Sequence, residues 1–186
     1  MRATIISDKE FRTILYQNLE NSTLNFLKGR GFDTEIIEIG REALNFCMGC
    51  FDCWVKKPGE CIVNDLVSHI NRRFIGSDAV IYLSPVVFGQ FSANMKNAID
   101  RWLPNMLPFF QQRPDGSTMH PSRYSYVPKL VIIGYGEDIS DEDRQLFIDI
   151  TEKHRRNVDV LIFDNPLNDV SKELSKIRLE KLEGKL

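Results

Sequence analysis

The chain has 186 residues, with 24 Lys and Arg against 26 Asp and Glu, a formal net charge of −2, 42% hydrophobic and 27% charged residues. That composition excludes disordered, collagen-like and disulfide-scaffold classes, and the near-balanced charge excludes a broad electrostatic grip on nucleic acid. No apolar run reaches the roughly 18 residues of a membrane span, and the N-terminal apolar stretch is too short for a secretion signal, so a cytoplasmic protein with no membrane partner is expected.

In chain order, Ala3–Ile6 is a short β-rich run. From about residue 11 to 28, Phe11, Leu15, Leu19, Phe26 and Leu27 recur at helical spacing, and Gly29 and Gly31 stop the helix. Glu35–Ile39 reads as a second strand. A Cys-rich loop follows over 45–63, and then Asn64 is placed to cap a helix carrying Leu66, Val67, Ile70 and Phe74. Ala79–Leu83 is continuously apolar, as expected of a strand covered on both faces. Ser92 is the expected cap of a helix with Met95, Ala98, Ile99 and Trp102. An insertion over 104–128 holds five of the eight prolines and is too long for an ordinary connection. Leu130–Ile133 is a fourth strand, Ser140 caps a helix with Leu146, Phe147 and Ile150, and Val160–Phe163 is a fifth strand. A last amphipathic helix is expected from about Val170 to Leu182.

Strands separated by helices require parallel crossovers, so the order predicts an α/β fold: a doubly wound, five-stranded parallel sheet with helices on both faces, in a single domain over 1–186. Ligands of such sheets sit beyond the carboxyl ends of the strands, at the point where the strand order reverses. The loops that matter are therefore those after the first, third and fourth strands.

All four cysteines, Cys47, Cys50, Cys53 and Cys61, fall within fifteen residues with the spacing C-x2-C-x2-C-x7-C. Clustered thiols in a reducing compartment point to metal or redox chemistry rather than structural disulfides. Three thiolates at successive x2 spacing suit a [4Fe–4S] cluster, with Gly49 allowing close backbone approach and Pro58-Gly59 turning the chain so that Cys61 supplies a fourth ligand. Zinc and free redox-active thiols are the alternatives; structural zinc more often takes two separated C-x2-C knuckles.

The segment from Asp78 to Arg101, with Ser84-Pro85-Val86-Val87-Phe88-Gly89 followed by Ser92, Lys96, Asp100 and Arg101, resembles the flavin loop of the flavodoxin-like NADPH-dependent FMN reductases. Together with Cys-Met-Gly-Cys-Phe-Asp-Cys-Trp from Cys47 and Gly-Glu-Cys-Ile-Val from Gly59, the chain is most similar to the iron–sulfur flavoprotein branch of that superfamily, over about residues 2–163. The resemblance implies a flavodoxin-like fold and bound FMN. It places the backbone of Pro85, Val86, Val87, Phe88 and Gly89 along the flavin ring, with Gly134 and Gly136 in the fourth-strand loop. It also implies an NAD(P)H or ferredoxin-like electron donor and a homo-oligomer.

The first loop departs from the pattern. Where the family has a glycine- and hydroxyl-rich phosphate wrap, this chain reads Ser7-Asp8-Lys9-Glu10-Phe11-Arg12-Thr13, with no glycine and two carboxylates. Ser7, Lys9, Arg12 and Thr13 are the donors left to meet a phosphate. Val87 stands where the family has a ring-contacting Tyr.

The expected function is a flavin-dependent oxidoreductase or electron-transfer iron–sulfur flavoprotein, in which the cofactors carry the chemistry and no side chain is an obvious acid or base. Two other readings remain open. One is a flavin-free, metal-binding or redox-sensing interaction protein; the other is a plain FMN reductase with vestigial thiols. Lys153, Arg155 and Arg156 form a small basic patch, most simply a solvated face.

Overall fold

The computed structural model describes residues 1–154, 158–165, 169–180 and 182–183. In chain order the elements are β1 (Arg2–Asp8), α1 (Ile14–Gly29), β2 (Asp33–Ile39), α2 (Asp52–Val55), α3 (Leu66–Gly76), β3 (Ala79–Val87), β4 (Gln90–Phe91) and α4 (Ala93–Asp100). Then follow β5 (Gln111–Gln112), β6 (Thr118–Met119), β7 (Tyr126–Val127), β8 (Lys129–Tyr135), α5 (Asp141–His154), β9 (Val158–Phe163), α6 (Val170–Ser175) and β10 (Leu182–Glu183).

The main sheet runs β2-β1-β3-β8-β9, all parallel, with the short β4 added antiparallel to the end of β3. The expected five parallel strands are present, and β4 makes a sixth. Along β3, Ala79, Ile81 and Leu83 face a core shared with Leu15, Tyr16 and Leu19 of α1 and with Val170 and Leu174 of α6. Val80 and Tyr82 face the opposite core, with Val67, Ile70 and Phe74 of α3, Met95 and Ile99 of α4, and Phe147 of α5. The period-2 alternation of side chains thus feeds two helical layers, which is why the strand reads as one unbroken apolar run.

Several boundaries move from their expected positions. α1 starts at Ile14 because Thr13 is its cap, accepting from the Tyr16 N–H at 3.1 Å, and Phe11 falls in a 3-10 turn outside the helix. Asp65 rather than Asn64 caps α3, accepting from the Val67 N–H at 3.0 Å. The last helix ends at Ser175, well short of Leu182. The Pro-rich insertion is not wholly irregular. It carries a 3-10 turn and two small antiparallel pairings, β5 with β6 and β7 with β10. Arg123 pins it to the turn after α4, donating to the carbonyls of Pro104 at 2.9 Å and Met106 at 3.1 Å. Among the described residues no helix is long and apolar enough to cross a membrane. Arg155 and Arg156, two members of the expected basic patch, lie outside the described residues.

Candidate functional site

The strand order reverses at β1, so the crevice to examine lies beyond the carboxyl ends of β1 and β3. On the β3 side the segment that resembles a flavin loop folds as a β-hairpin. Val86 and Val87 pair with Phe91 and Gln90, and Phe88 and Gly89 form the tip. Both tip residues have positive φ, 50° and 69°, the backbone a two-residue hairpin with native twist requires. Gly89 is doubly constrained, because a Cβ there would stand 2.8 Å from Leu146 Cδ2. The Phe88 ring is left 86% exposed. Ser92 then caps α4 as expected, accepting from the Met95 N–H at 3.2 Å.

On the β1 side, each expected phosphate donor has a partner or packing position within the protein. Ser7 is fully buried; its hydroxyl donates to Glu20 at 3.0 Å and accepts from the Tyr16 hydroxyl at 3.1 Å. Burial, first, and the hydrogen bond to Glu20 push the Tyr16 phenol well above its ordinary range. Arg12 is ion-paired with Glu38 of β2, and Thr13 is spent as the α1 cap. The Lys9 stem lies over Gly40, its Cε 2.5 Å from where a Cβ on that glycine would stand.

Asp8 has the opposite placement. Its carboxylate is fully buried and reaches across to the start of α4. It accepts from the Ser92 hydroxyl at 2.6 Å and from the Asn94 amide at 3.1 and 3.3 Å, and from the Glu10 N–H at 3.0 Å.

The fourth-strand glycines admit the protein's own side chains. A Cβ on Gly134 would meet Phe147 Cε1 at 2.9 Å and Val86 Cγ2 at 3.0 Å, and one on Gly136 would meet Ile139 Cγ1 at 3.2 Å.

The Cys-rich loop brings all four cysteines to one place. Cys47, Cys50, Cys53 and Cys61 line a single cavity of about 30 Å³, walled by Met48, Phe51, Ile62, Val63, Leu103 and Pro104 with Arg101. The curl that gathers them has a local cause, since Gly49 and Phe51, which alternate with the first three cysteines, both take left-handed backbone, φ 66° and 58°. The Trp54 indole N–H then donates to the Leu103 carbonyl at 2.8 Å, holding the loop against the turn after α4. Cys53 is buried, Cys61 half-buried, and Cys47 and Cys50 exposed. Burial, followed by the neighbouring Cys61, Cys50 and Cys47, raises the Cys53 thiol's pKa. Among the described residues, no three His, Cys, Asp or Glu side chains converge on a single metal-ion position.

Arg101 is the residue on which this loop closes. Its guanidinium, 2% exposed, donates to the carbonyl of Asn45 at 2.9 Å and that of Val63 at 3.3 Å, the two ends of the Cys-rich loop. It also donates to Cys61 Sγ at 3.2 Å and pairs with the buried Asp65. Its Nε has no hydrogen-bond partner among the described residues.

Burial alone would raise the Asp65 pKa. The Arg101 guanidinium and the Asn45 donors outweigh that effect and hold the carboxyl below its ordinary value. A carboxyl depressed in the folded state contributes stability that is present above the unfolded pKa of about 3.9 and is lost as pH falls through the lower folded value. The stability gap between the native chain and Asp65→Asn, measured by urea unfolding, is therefore expected to be full at neutral pH and to close below about pH 4. A gap independent of pH would refute that role for the pair.

A larger cavity of about 470 Å³ lies on the other side of Cys61, lined among others by Lys57, Asn64, Asn71, Arg72 and Tyr124. His69 is held by Glu35 at 2.9 Å and His120 by the Phe109 carbonyl at 2.9 Å, so neither histidine joins the thiols. The functional residues that sequence reading missed are Asp8, Arg101 as the loop clamp, and Asp65. A charged Arg at the end of an otherwise apolar helix face was the available signal, but its partner stands 36 residues away.

Comparison with known proteins adds the following. The model of the NADPH-dependent FMN reductase family matches residues 17–117, a span that begins after the first loop. An iron-sulfur flavoprotein of Archaeoglobus fulgidus is 39% identical over 84 residues, 45% of this chain and 37% of that protein. An iron-sulfur flavoprotein of Methanocaldococcus jannaschii is 36% identical over 91 residues, 49% and 46% of the two chains. The matches thus span less than half the length of these curated relatives. Among solved structures, an NAD(P)H:quinone oxidoreductase from Methanothermobacter marburgensis superposes with a TM-score of 0.63 at 13% identity, covering 94% of this chain and 90% of that one. An azoreductase from Bacillus anthracis gives 0.58 at 12%, covering 95% and 91%. At such identities these two speak to the fold, which they support as flavodoxin-like.

Proposed function

Because the chain belongs to the NADPH-dependent FMN reductase family, matched over 17–117, we propose that it is a flavin-dependent oxidoreductase of the iron–sulfur flavoprotein kind, supplied with electrons by an NAD(P)H-type or ferredoxin-like donor. The observation that carries the reading is the single cavity lined by Cys47, Cys50, Cys53 and Cys61. A [4Fe–4S] cluster asks each thiolate for its own iron, so sulfurs arranged around a cavity suit it better than one tetrahedral ion, which needs all four at one point. The unpartnered Arg101 Nε and the Arg101 donor on Cys61 supply buried positive charge beside those sulfurs. The residues present therefore fit the cluster, with Cys47, Cys50, Cys53 and Cys61 as its ligands.

Bound together, such a cluster would exchange single electrons and a flavin would take up two and release them singly. The chain's own residues do the rest. Arg101 fixes the loop ends, Phe51 and Leu103 wall the cavity beside the sulfurs, and Trp54 ties the loop to the turn after α4. The exposed Phe46, Met48, Val55, Ile62, Phe109 and Phe110 belong to the Cys-rich loop and the neighbouring insertion, and are the kind of apolar surface a second copy would cover in a homo-oligomer. The first loop, with Ser7, Arg12 and Thr13 already partnered and the Asp8 carboxylate buried in it, does not fit a phosphate dianion.

The test is cofactor content. One anaerobic preparation of the full chain is assayed for iron, zinc and acid-released flavin. The expected result is about four irons per chain, a broad absorption near ~400 nm, and flavin bound on isolation or on addition. A colourless chain that carries zinc and takes up neither iron nor flavin on reconstitution would overturn the proposal.

A further inference from the structure

The charged side chains of the first loop reach to both sides of β1. The cations lean toward β2. Arg12 is paired with Glu38 of that strand, Lys9 packs over Gly40 just past its end, and Arg41 follows in the same segment. The Asp8 carboxylate leans the other way, toward β3, on whose side the crevice lies. Asp8 reaches Ser92 and Asn94 at the start of α4. Glu10 is placed beside it, accepting from the Arg41 N–H at 2.6 Å and hydrogen-bonded with Asn94.

Two elements that a phosphate could have bridged, the β1 loop and the N-terminus of α4, are thus already bridged by a carboxylate. The Ser92 hydroxyl and the Asn94 amide, the natural donors to an anion there, both give their hydrogens to Asp8. The connection from β1 to α1 spans only Lys9–Thr13 and contains no glycine, so its backbone has no left-handed residue with which to fold amides around a ligand.

A buried carboxylate in low dielectric repels a dianion far more strongly than a surface one does. We infer that the switch-point site of this chain discriminates against the flavin's phosphate and accepts an uncharged flavin, with a free ribityl end, at least as well as FMN; Asp8 is the residue that sets this preference. The inference rests on the flavin reading above and deepens it, by naming the chemical class of flavin the site takes.

Riboflavin and FMN are titrated separately into the anaerobic full-length protein, followed by quenching of flavin fluorescence, at low and at high salt. Riboflavin binds as tightly as FMN or more tightly. FMN affinity does not fall as salt is added, since a buried charge is screened only weakly, and riboflavin affinity stays flat. Asp8→Asn shifts the FMN-to-riboflavin affinity ratio toward FMN by tenfold or more, with riboflavin affinity little changed. Should that variant not fold, as judged by near-UV circular dichroism, Glu10→Gln at the exposed neighbouring position shifts the ratio in the same direction by a smaller factor. FMN binding tighter than riboflavin, and weakening as salt is added, overturns the inference and leaves the flavin reading standing. Failure of both flavins to bind overturns the inference and the flavin reading together.

Discussion

Replacing Arg101 with leucine is expected to destabilise the protein by about 3–5 kcal/mol, the cost of leaving the buried Asp65 carboxylate without its partner. In a chain of this size that lowers the midpoint of thermal unfolding by about 6–20 °C. The size of the effect follows from burial, with Arg101 2% and Asp65 9% exposed, where an exposed pair would contribute ~1 kcal/mol or less. The double replacement Arg101→Met with Asp65→Leu removes both charges and is expected to recover part of the loss, the remainder being the α3 cap and the loop carbonyls that lose their partners. If the double variant is as unstable as the sum of the singles, the two groups are not coupled. The Arg101 variant has a second expected signature. The Asn45 and Val63 carbonyls lose their common donor, so amide exchange in the Cys-rich loop speeds up while β1, β3 and β8 remain protected.

Cys53→Ser has the largest expected effect on cofactor content. Cys53 is the buried thiol of the four and lies at the base of the curl, where its carbonyl accepts from the Gly59 N–H at 3.0 Å. Serine keeps the size and the backbone bond but is a far poorer ligand for iron than a thiolate. Iron bound after anaerobic reconstitution is expected to fall from about four per chain to a small fraction of that, and the visible absorption with it. Near-UV circular dichroism should stay close to that of the metal-free native chain. Undiminished iron in Cys53→Ser would remove this thiol from the ligand set and leave at most three cysteines to hold a cluster.

The sheet was legible in the sequence because each signal that specifies it is local. Alternating runs, glycines after α1 and the Ser92 cap all lie within a few residues of what they control. The cysteine spacing was legible for the same reason, and the structure does bring Cys47, Cys50, Cys53 and Cys61 to one cavity. The hairpin at Phe88-Gly89 was missed because a non-glycine residue in left-handed backbone has only a weak signature in sequence, and Phe is an uncommon choice for it. The Asp65 cap was missed in favour of Asn64 because both residue types cap well and adjacent positions compete. Asp8 could be seen as a carboxylate unsuited to phosphate. Its partners Ser92 and Asn94, 84 and 86 residues away, could not be seen, since a contact across the sheet leaves no trace in nearby sequence. The final helix was overextended because its charged, amphipathic pattern persists beyond Ser175 although the helix does not.

Both ends of the Cys-rich loop return to one guanidinium at the close of α4. Together with the Trp54 bond to the turn after α4, these anchors fasten the segment outside the parallel strands beneath it. Insertions, deletions and substitutions between Asn45 and Val63 can accumulate over evolutionary time without disturbing the β-sheet register, so long as the arginine and its aspartate are kept. The loop and the sheet that carries it are thereby free to change on separate courses.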